Sequence, residues 1–200
     1  EEGLTPSRRF DISQIDFDLL RREFARSHRK HLILKDLDEL IQVRLDKLLF
    51  TNPQRMDYYN RYQQIISTYN DKQDQASIEK TFMDLMDLAN SMDTEQQRYV
   101  REGFSSDEEL SVYDLLFQSS LSAQDIKRIK QVSVELLQKV KARIHELDHW
   151  VDKQETKASV DNLIRDVLYD GLPDSYPVEQ INEYRRRIFE YVYTQYGTAA

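Results

Sequence analysis

From Ser122 to about Gln154, apolar side chains recur at a spacing that an α-helix gathers into one continuous face. On a wheel of 3.6 residues per turn, Ile126, Ile129, Leu136, Leu137, Val140, Ile144, Leu147 and Val151 fall in one arc of roughly 100°. Ser122 with Asp125 resembles a capping box, with Asp in place of Glu or Gln, so the start is marked as well as the face. Such a helix is about 50 Å long at 1.5 Å per residue, more than the diameter of a small domain. Shorter helices must therefore pack along it. The expected fold is all-α, with about eight to nine helices packed along one long helix at about 122–154.

The remaining segments supply those partners. Residues 1–15 lack periodicity and read as an arm. Asp16–Ser27 reads as a short helix with Phe17, Leu20 and Phe24 on one side, and Ser27–Lys35 as a basic connector. In Asp36–Thr51, Leu37, Leu40, Ile41, Leu45, Leu48 and Leu49 keep one face apolar. Asn52-Pro53 ends that helix and caps the next, which carries Met56, Tyr59, Tyr62, Ile66 and Tyr69 to about Asn70. Ser77 to about Ser91 turns Ile78, Phe82, Leu85, Met86 and Ala89 inward. Asp93–Glu102 follows, with Asp93 and Gln96 as a capping box and Gly103 as its stop. Ser106 with Glu109 opens a helix bearing Leu110, Tyr113, Leu116 and Phe117. Thr156–Asp170 closes at Gly171, and Val178–Tyr196 is the last helix. No segment alternates with period two, and no internal repeat occurs at a fixed spacing. The expected organisation is a basic N-terminal arm with one short helix over 1–35 and a helical C-terminal domain over 36–200.

Two hundred residues, 40% of them hydrophobic and 32% charged, suffice for one sizeable core. Four Gly and four Pro, set against 12 Tyr and 8 Phe, suit helices with aromatic packing. No apolar run reaches the roughly 18 residues of a membrane span, and no secretory leader is read. The absence of Cys excludes disulfides and thiolate metal sites and fits a cytoplasmic setting. The sequence starts Glu-Glu-Gly without a Met, from which a piece of a longer protein is expected.

A formal net charge of −8 counts against a chain that grips nucleic acid over its whole surface. The N-terminal sixth departs from that balance. Arg8, Arg9, Arg21, Arg22, Arg26, Arg29, Lys30 and Lys35 stand there against Asp11, Asp16, Asp18 and Glu23, with His28 and His31 among them. Arg21, Arg22, Arg26, Arg29 and Lys30, with Lys35 beyond them, suit either nucleic-acid backbone contact or docking on an acidic protein surface. Lys127, Lys130, Lys141 and His145 form a ridge beside the apolar stripe of the long helix. These could position a duplex by its phosphates, or form an ordinary solvated face. Arg185 falls in the arc of Val178, Ile181, Phe189 and Val192, while Arg186 and Arg187 point elsewhere. An arginine on a core face is either ion-paired or part of an interface, so Arg185, Arg186 and Arg187 are candidate protein-contact residues.

Catalytic signatures are absent. His145-Glu146-Leu147-Asp148-His149 is formally H-E-x-x-H, in which two His at i and i+4 share a zinc and the Glu activates water. Both His would point about 150° from the apolar stripe, toward solvent, and no further His follows. The pattern reads as coincidence on a charged helix, and no metal ligand is assigned. There is no G-x-x-x-x-G-K-[ST] loop, no dinucleotide fingerprint and no nucleophile constellation. The chain reads as non-catalytic.

Five stretches occur in register. Leu49-Phe50-Thr51-Asn52-Pro53-Gln54-Arg55-Met56-Asp57 precedes Ile65-Ile66-Ser67-Thr68-Tyr69-Asn70 and Ser77-Ile78-Glu79-Lys80-Thr81-Phe82. Arg101-Glu102-Gly103-Phe104 and Leu168-Tyr169-Asp170-Gly171-Leu172-Pro173-Asp174-Ser175-Tyr176 follow. This order resembles the C-terminal region of the restriction, or motor, subunit of type I restriction-modification enzymes, most like the IC group, over about residues 36–196. The resemblance implies a bacterial cytoplasmic parent with a nuclease domain and two RecA-like motor domains using ATP and Mg. It also implies a helical region behind them and assembly on a methyltransferase core of modification and specificity subunits. This chain would then be the accessory helical domain. It would have no cofactor of its own, would aid assembly and contact the DNA backbone non-specifically, or would be a protein–protein dock without DNA contact. Its partners would be DNA, the methyltransferase core and the rest of the motor subunit, with no membrane.

Overall fold

The computed structural model describes residues 16–71 and 74–197. Among them are nine α-helices and one 3-10 turn, Pro53–Arg55, with no strand, which is the all-α class expected. The helices are α1 (Phe17–Arg26), α2 (Lys30–Thr51), α3 (Met56–Asp71), α4 (Gln75–Gln96), α5 (Arg98–Arg101), α6 (Asp107–Leu116), α7 (Ala123–Glu146), α8 (Gln154–Gly171) and α9 (Val178–Tyr196). Among the described residues no helix is long and apolar enough to cross a membrane. The arm at 1–15, with Arg8 and Arg9, lies outside the described residues.

The described chain forms two compact units, each with its own core. The first comprises residues up to Leu48 with Arg55–Thr94; the second comprises Leu49–Gln54 and the residues from Glu95 onward. In the first, Leu34, Leu37, Ile41, Leu45 and Leu48 of α2 meet Phe82, Leu85, Met86, Ala89 and Met92 of α4. Phe24 of α1 joins them by stacking on Phe82, ring centroids 3.7 Å apart. From α3 come Tyr62 and Ile65, with Tyr58, Ile66 and Tyr69 partly buried, whereas Met56 and Tyr59 stay exposed. At 100° per residue Tyr58, Tyr62, Ile65 and Tyr69 fall in one arc of about 60°, and Met56 lies on the far side of the helix.

In the second unit α7 packs against α6 and α8, and α9 against α8 and α6. Of the stripe read from the sequence, Ile129, Leu136, Leu137 and Val140 are buried, and Val132 joins them. The capping box holds in both directions, with Asp125 N–H donating to Ser122 Oγ and Ser122 N–H to the Asp125 carboxylate. The far end differs from expectation. The helix stops at Glu146 instead of running to Gln154, because Leu147 turns extended and His149 takes a φ of 47°. That turn drives Trp150 into the core at 2% exposure, where its Nε1–H donates to the Tyr196 carbonyl at 3.0 Å. Leu147 and Val151 still face the core, so the apolar period survives past the end of the helix.

Two further boundaries move. α2 begins at Lys30 rather than at Asp36, since only Ser27, His28 and Arg29 interrupt the helical chain and Ser27 Oγ accepts from Arg29 N–H at 2.9 Å. Asp93 does not cap a new helix; it lies inside α4, and its carboxylate accepts from Arg44 at 2.8 Å. The ion pair with a side chain that is 6% exposed outweighs the local capping signal. Gly103 does end α5, in the left-handed region at φ 83°. Phe104 N–H reaches the Tyr99 carbonyl at 2.8 Å and Gly103 N–H that of Val100 at 3.1 Å, a Schellman closure.

Candidate basic interface

The arginines of α1 are placed by the apolar side chains between them. Phe17, Leu20 and Phe24 face the first core, so Arg21, Arg22 and Arg26 are left on the solvent side. Asp16 caps α1 by accepting from Leu19 N–H at 2.9 Å, and Arg26 in the last turn suits the negative end of the helix dipole. Arg29 follows in the short link to α2. All four arginines are exposed, and none has an ion-pair partner among the described residues. The other two cations of this cluster differ. Lys30 Nζ lies 2.5 Å from Glu79 and 5.4 Å over the Phe24 ring. Hydrogen bonding to Lys30, then to Gln75, holds the Glu79 carboxyl below its usual range. Lys35 approaches Glu39 at 3.6 Å with both side chains well exposed.

The α7 ridge has a different arrangement. Lys130 Nζ donates to the Glu102 carbonyl and carboxylate, each at 2.8 Å, and sits 5.6 Å over the rings of Phe104 and Tyr113. Lys141 pairs with Glu108 and lies 5.4 Å over the Tyr196 ring. Lys127 is exposed and unpaired among the described residues. On α9, Arg185 is half-buried, 3.5 Å from the Asp161 carboxylate. Arg186 approaches Glu190 at 3.6 Å on an exposed face. Arg187 donates to Gln54 at 3.2 Å and lies 5.9 Å over Tyr184.

His145 and His149 do not share a helical face, since His149 lies beyond the end of α7 in a turn. Both are exposed, and among the described residues no three His, Asp or Glu side chains converge on a common point where a metal could sit.

Polar residues whose partners the sequence did not mark organise the second unit. Asn52, fully buried, donates to Asp114 at 2.7 Å and accepts from Gln54 N–H at 3.1 Å. Asp114 also takes a two-pronged contact from Arg98, which donates in addition to Glu95 at 2.7 Å. Burial works against the Arg98 charge, yet the Asp114 and Glu95 carboxylates raise its pKa above the ordinary arginine value. Ser111 Oγ donates to the Thr51 carbonyl at 2.9 Å. Arg128 donates to the Gly171 carbonyl at 2.7 Å, closing the end of α8, and Tyr176 OH donates to the Leu116 carbonyl at 2.6 Å. Gly171 itself admits Val132: a Cβ there would meet a Val132 methyl at 2.9 Å. Three of the five motif stretches therefore have structural work within this unit, holding a buried polar network, a helix stop and a close helix contact. The signal for Asn52 was visible as a helix cap; its partner 62 residues away was not.

Residues 5–197 match the family described as type I restriction enzyme HindI endonuclease subunit-like, C-terminal. No curated protein and no solved structure matches the chain.

Proposed function

Since the chain belongs to the C-terminal family of HindI-like type I restriction enzyme endonuclease subunits, we propose that it is a non-catalytic domain that contacts the DNA backbone through α1 and aids assembly on the methyltransferase core. The observation that carries this reading is the row Arg21, Arg22, Arg26 and Arg29, exposed and without carboxylate partners among the described residues of a chain whose net charge is −8. Free guanidinium groups release counterions when they meet phosphates, whereas lysines already held by glutamates gain less from the exchange. Of the α7 ridge, Lys127 is available for the same role, and Lys130 and Lys141 serve mainly to hold α7 to Glu102 and Glu108. Backbone contact of this kind positions a duplex without reading its sequence. ATP and Mg are assigned to the motor domains of the parent, and the modification and specificity subunits to its assembly partners.

A second reading, docking on protein without DNA contact, is favoured by Leu19 and Leu32. They are 45% and 44% exposed on the segments that carry the arginines, and arginine beside exposed apolar surface also suits a protein interface. A gel shift with the intact endonuclease subunit separates the two. Arg21→Glu, Arg22→Glu and Arg26→Glu together should weaken duplex binding by the subunit alone and flatten its salt dependence by about one unit per lost phosphate contact. Unchanged binding and salt slope, with assembly on the methyltransferase core lost, would leave only the protein dock.

A further inference from the structure

In the first unit a cleft of about 290 Å³ opens between the first turns of α2, the end of α3 and the early turns of α4. Leu34, Ile66 and Leu85 form its apolar wall. Thr81 distinguishes it from a packing defect. In an α-helix a threonine hydroxyl commonly returns to the carbonyl four residues back, as Thr68, Thr94 and Thr194 do at 2.9, 3.1 and 2.9 Å. Thr81 lines the cleft, is 4% exposed, and makes no hydrogen bond among the described residues. The Thr81 hydroxyl is not fully enclosed, so it stays open to a ligand that enters the cleft. The side chains of His31, Tyr69 and Asn70, on the same lining, also lack hydrogen-bond partners among the described residues. The one carboxylate there, Asp38, is already engaged, accepting from Tyr62 OH at 2.8 Å and from Gln42 at 3.1 Å.

We infer that this cleft binds a single nucleotide unit: one base, its sugar and one phosphate. The half-buried Tyr69 ring and the apolar wall suit a flat base. The Thr81 hydroxyl and Asn70 amide offer donors and acceptors to a base edge. His31 in the first turn of α2 and Lys35 one turn further on suit the phosphate. The volume lies at the lower end of ligand cavities and admits one nucleotide, not two. The source is either a free mononucleotide or the phosphorylated end of a single DNA strand, chemistry distinct from the duplex contact proposed for α1.

The test is calorimetric titration of the full chain with deoxyadenosine monophosphate and, separately, with a 5′-phosphorylated single-stranded tetranucleotide. Saturable binding of either, with a dissociation constant below about 1 mM, is expected. Thr81→Val, which keeps the shape and removes the hydroxyl, should weaken it about tenfold. Tyr69→Leu should do so at least as much, and the exposed Lys35→Gln should weaken the nucleotide more than the corresponding nucleoside. Tighter binding of the tetranucleotide assigns the cleft to a strand end; mononucleotide binding without competition from the strand assigns it to a free nucleotide. Absence of saturable heat with both ligands overturns the inference, as does equal affinity in the wild-type chain, Thr81→Val and Lys35→Gln, each shown by circular dichroism to be folded.

Discussion

Arg21, Arg22, Arg26 and Arg29 in the first unit and Lys127, Lys130 and Lys141 in the second are both runs of cations along helical chain. In the second unit most of that charge is already bound: Lys130 to Glu102, Lys141 to Glu108, and near them Arg98 to Asp114 and Glu95. On α1 the arginines form no ion pair among the described residues. Whether a cation is structural or available to a partner depends on the acids that other helices bring to it, more than on the number of cations nearby in sequence. The second unit uses its charges to fix helix against helix. The first packs α1 by aromatic stacking and leaves its charges outside.

Four experiments would break or sharpen this contrast. The largest effect is expected from Asp114→Ala, which leaves the buried Asn52 amide without its acceptor and Arg98 with Glu95 alone. The second unit should lose about 2–4 kcal/mol, read by urea unfolding with the single tryptophan, Trp150, as a probe inside that unit's core. A loss under about 0.5 kcal/mol would mean that the network does not hold α6 in place. Next comes Gly171→Ala, whose new methyl must displace Val132; about 1–3 kcal/mol should be lost by the same probe. The third compares the two stripes directly. Lys130→Ala should cost about 1 kcal/mol, since two hydrogen bonds and two ring contacts go with it at a partly exposed site. Arg21→Ala and Arg22→Ala should each stay within about 0.5 kcal/mol by far-ultraviolet circular dichroism. Equal costs for Lys130 and the arginines would erase the distinction.

The smallest effect concerns Glu79. Its pKa is lower folded than unfolded, so the unfolded chain takes up the proton first as pH falls. The Lys30–Glu79 pair thus contributes in full above the ordinary value of 4.5 and fades as pH drops through the lower folded value. Glu79→Gln should lower the dichroism melting temperature slightly at pH 7 and leave it unchanged near pH 2. A difference that persists in acid would show that the residue acts by packing instead of charge.

Much of the fold could be read from the chain because it is encoded within a few residues. The capping box at Ser122, the Ser106 cap of α6, the stop at Gly103 and the limits of α9 all rest on bonds between groups three to five positions apart. The buried stripe of α7 was legible for the same reason, as helical period alone decides which side chains share a face. The basic cluster could be named residue by residue, yet its free and paired members could not be told apart. Nor did the sequence mark the unpaired hydroxyl of Thr81 in its cleft.

The sequence by itself determined the all-α class, most helix starts and the inward faces, because local hydrogen bonds and 3.6-residue periodicity suffice for these. Only the tertiary structure decided that α7 ends at Glu146, that Asp93 serves Arg44 instead of capping a helix, and that the described residues divide into two compact units. It also decided that Lys130 and Lys141 are bound, while the α1 arginines form no ion pair among the described residues. Their carboxylate partners lie 28 and 33 residues away in the chain. Pairing and packing over such separations depend on distances between helices, which no local pattern specifies.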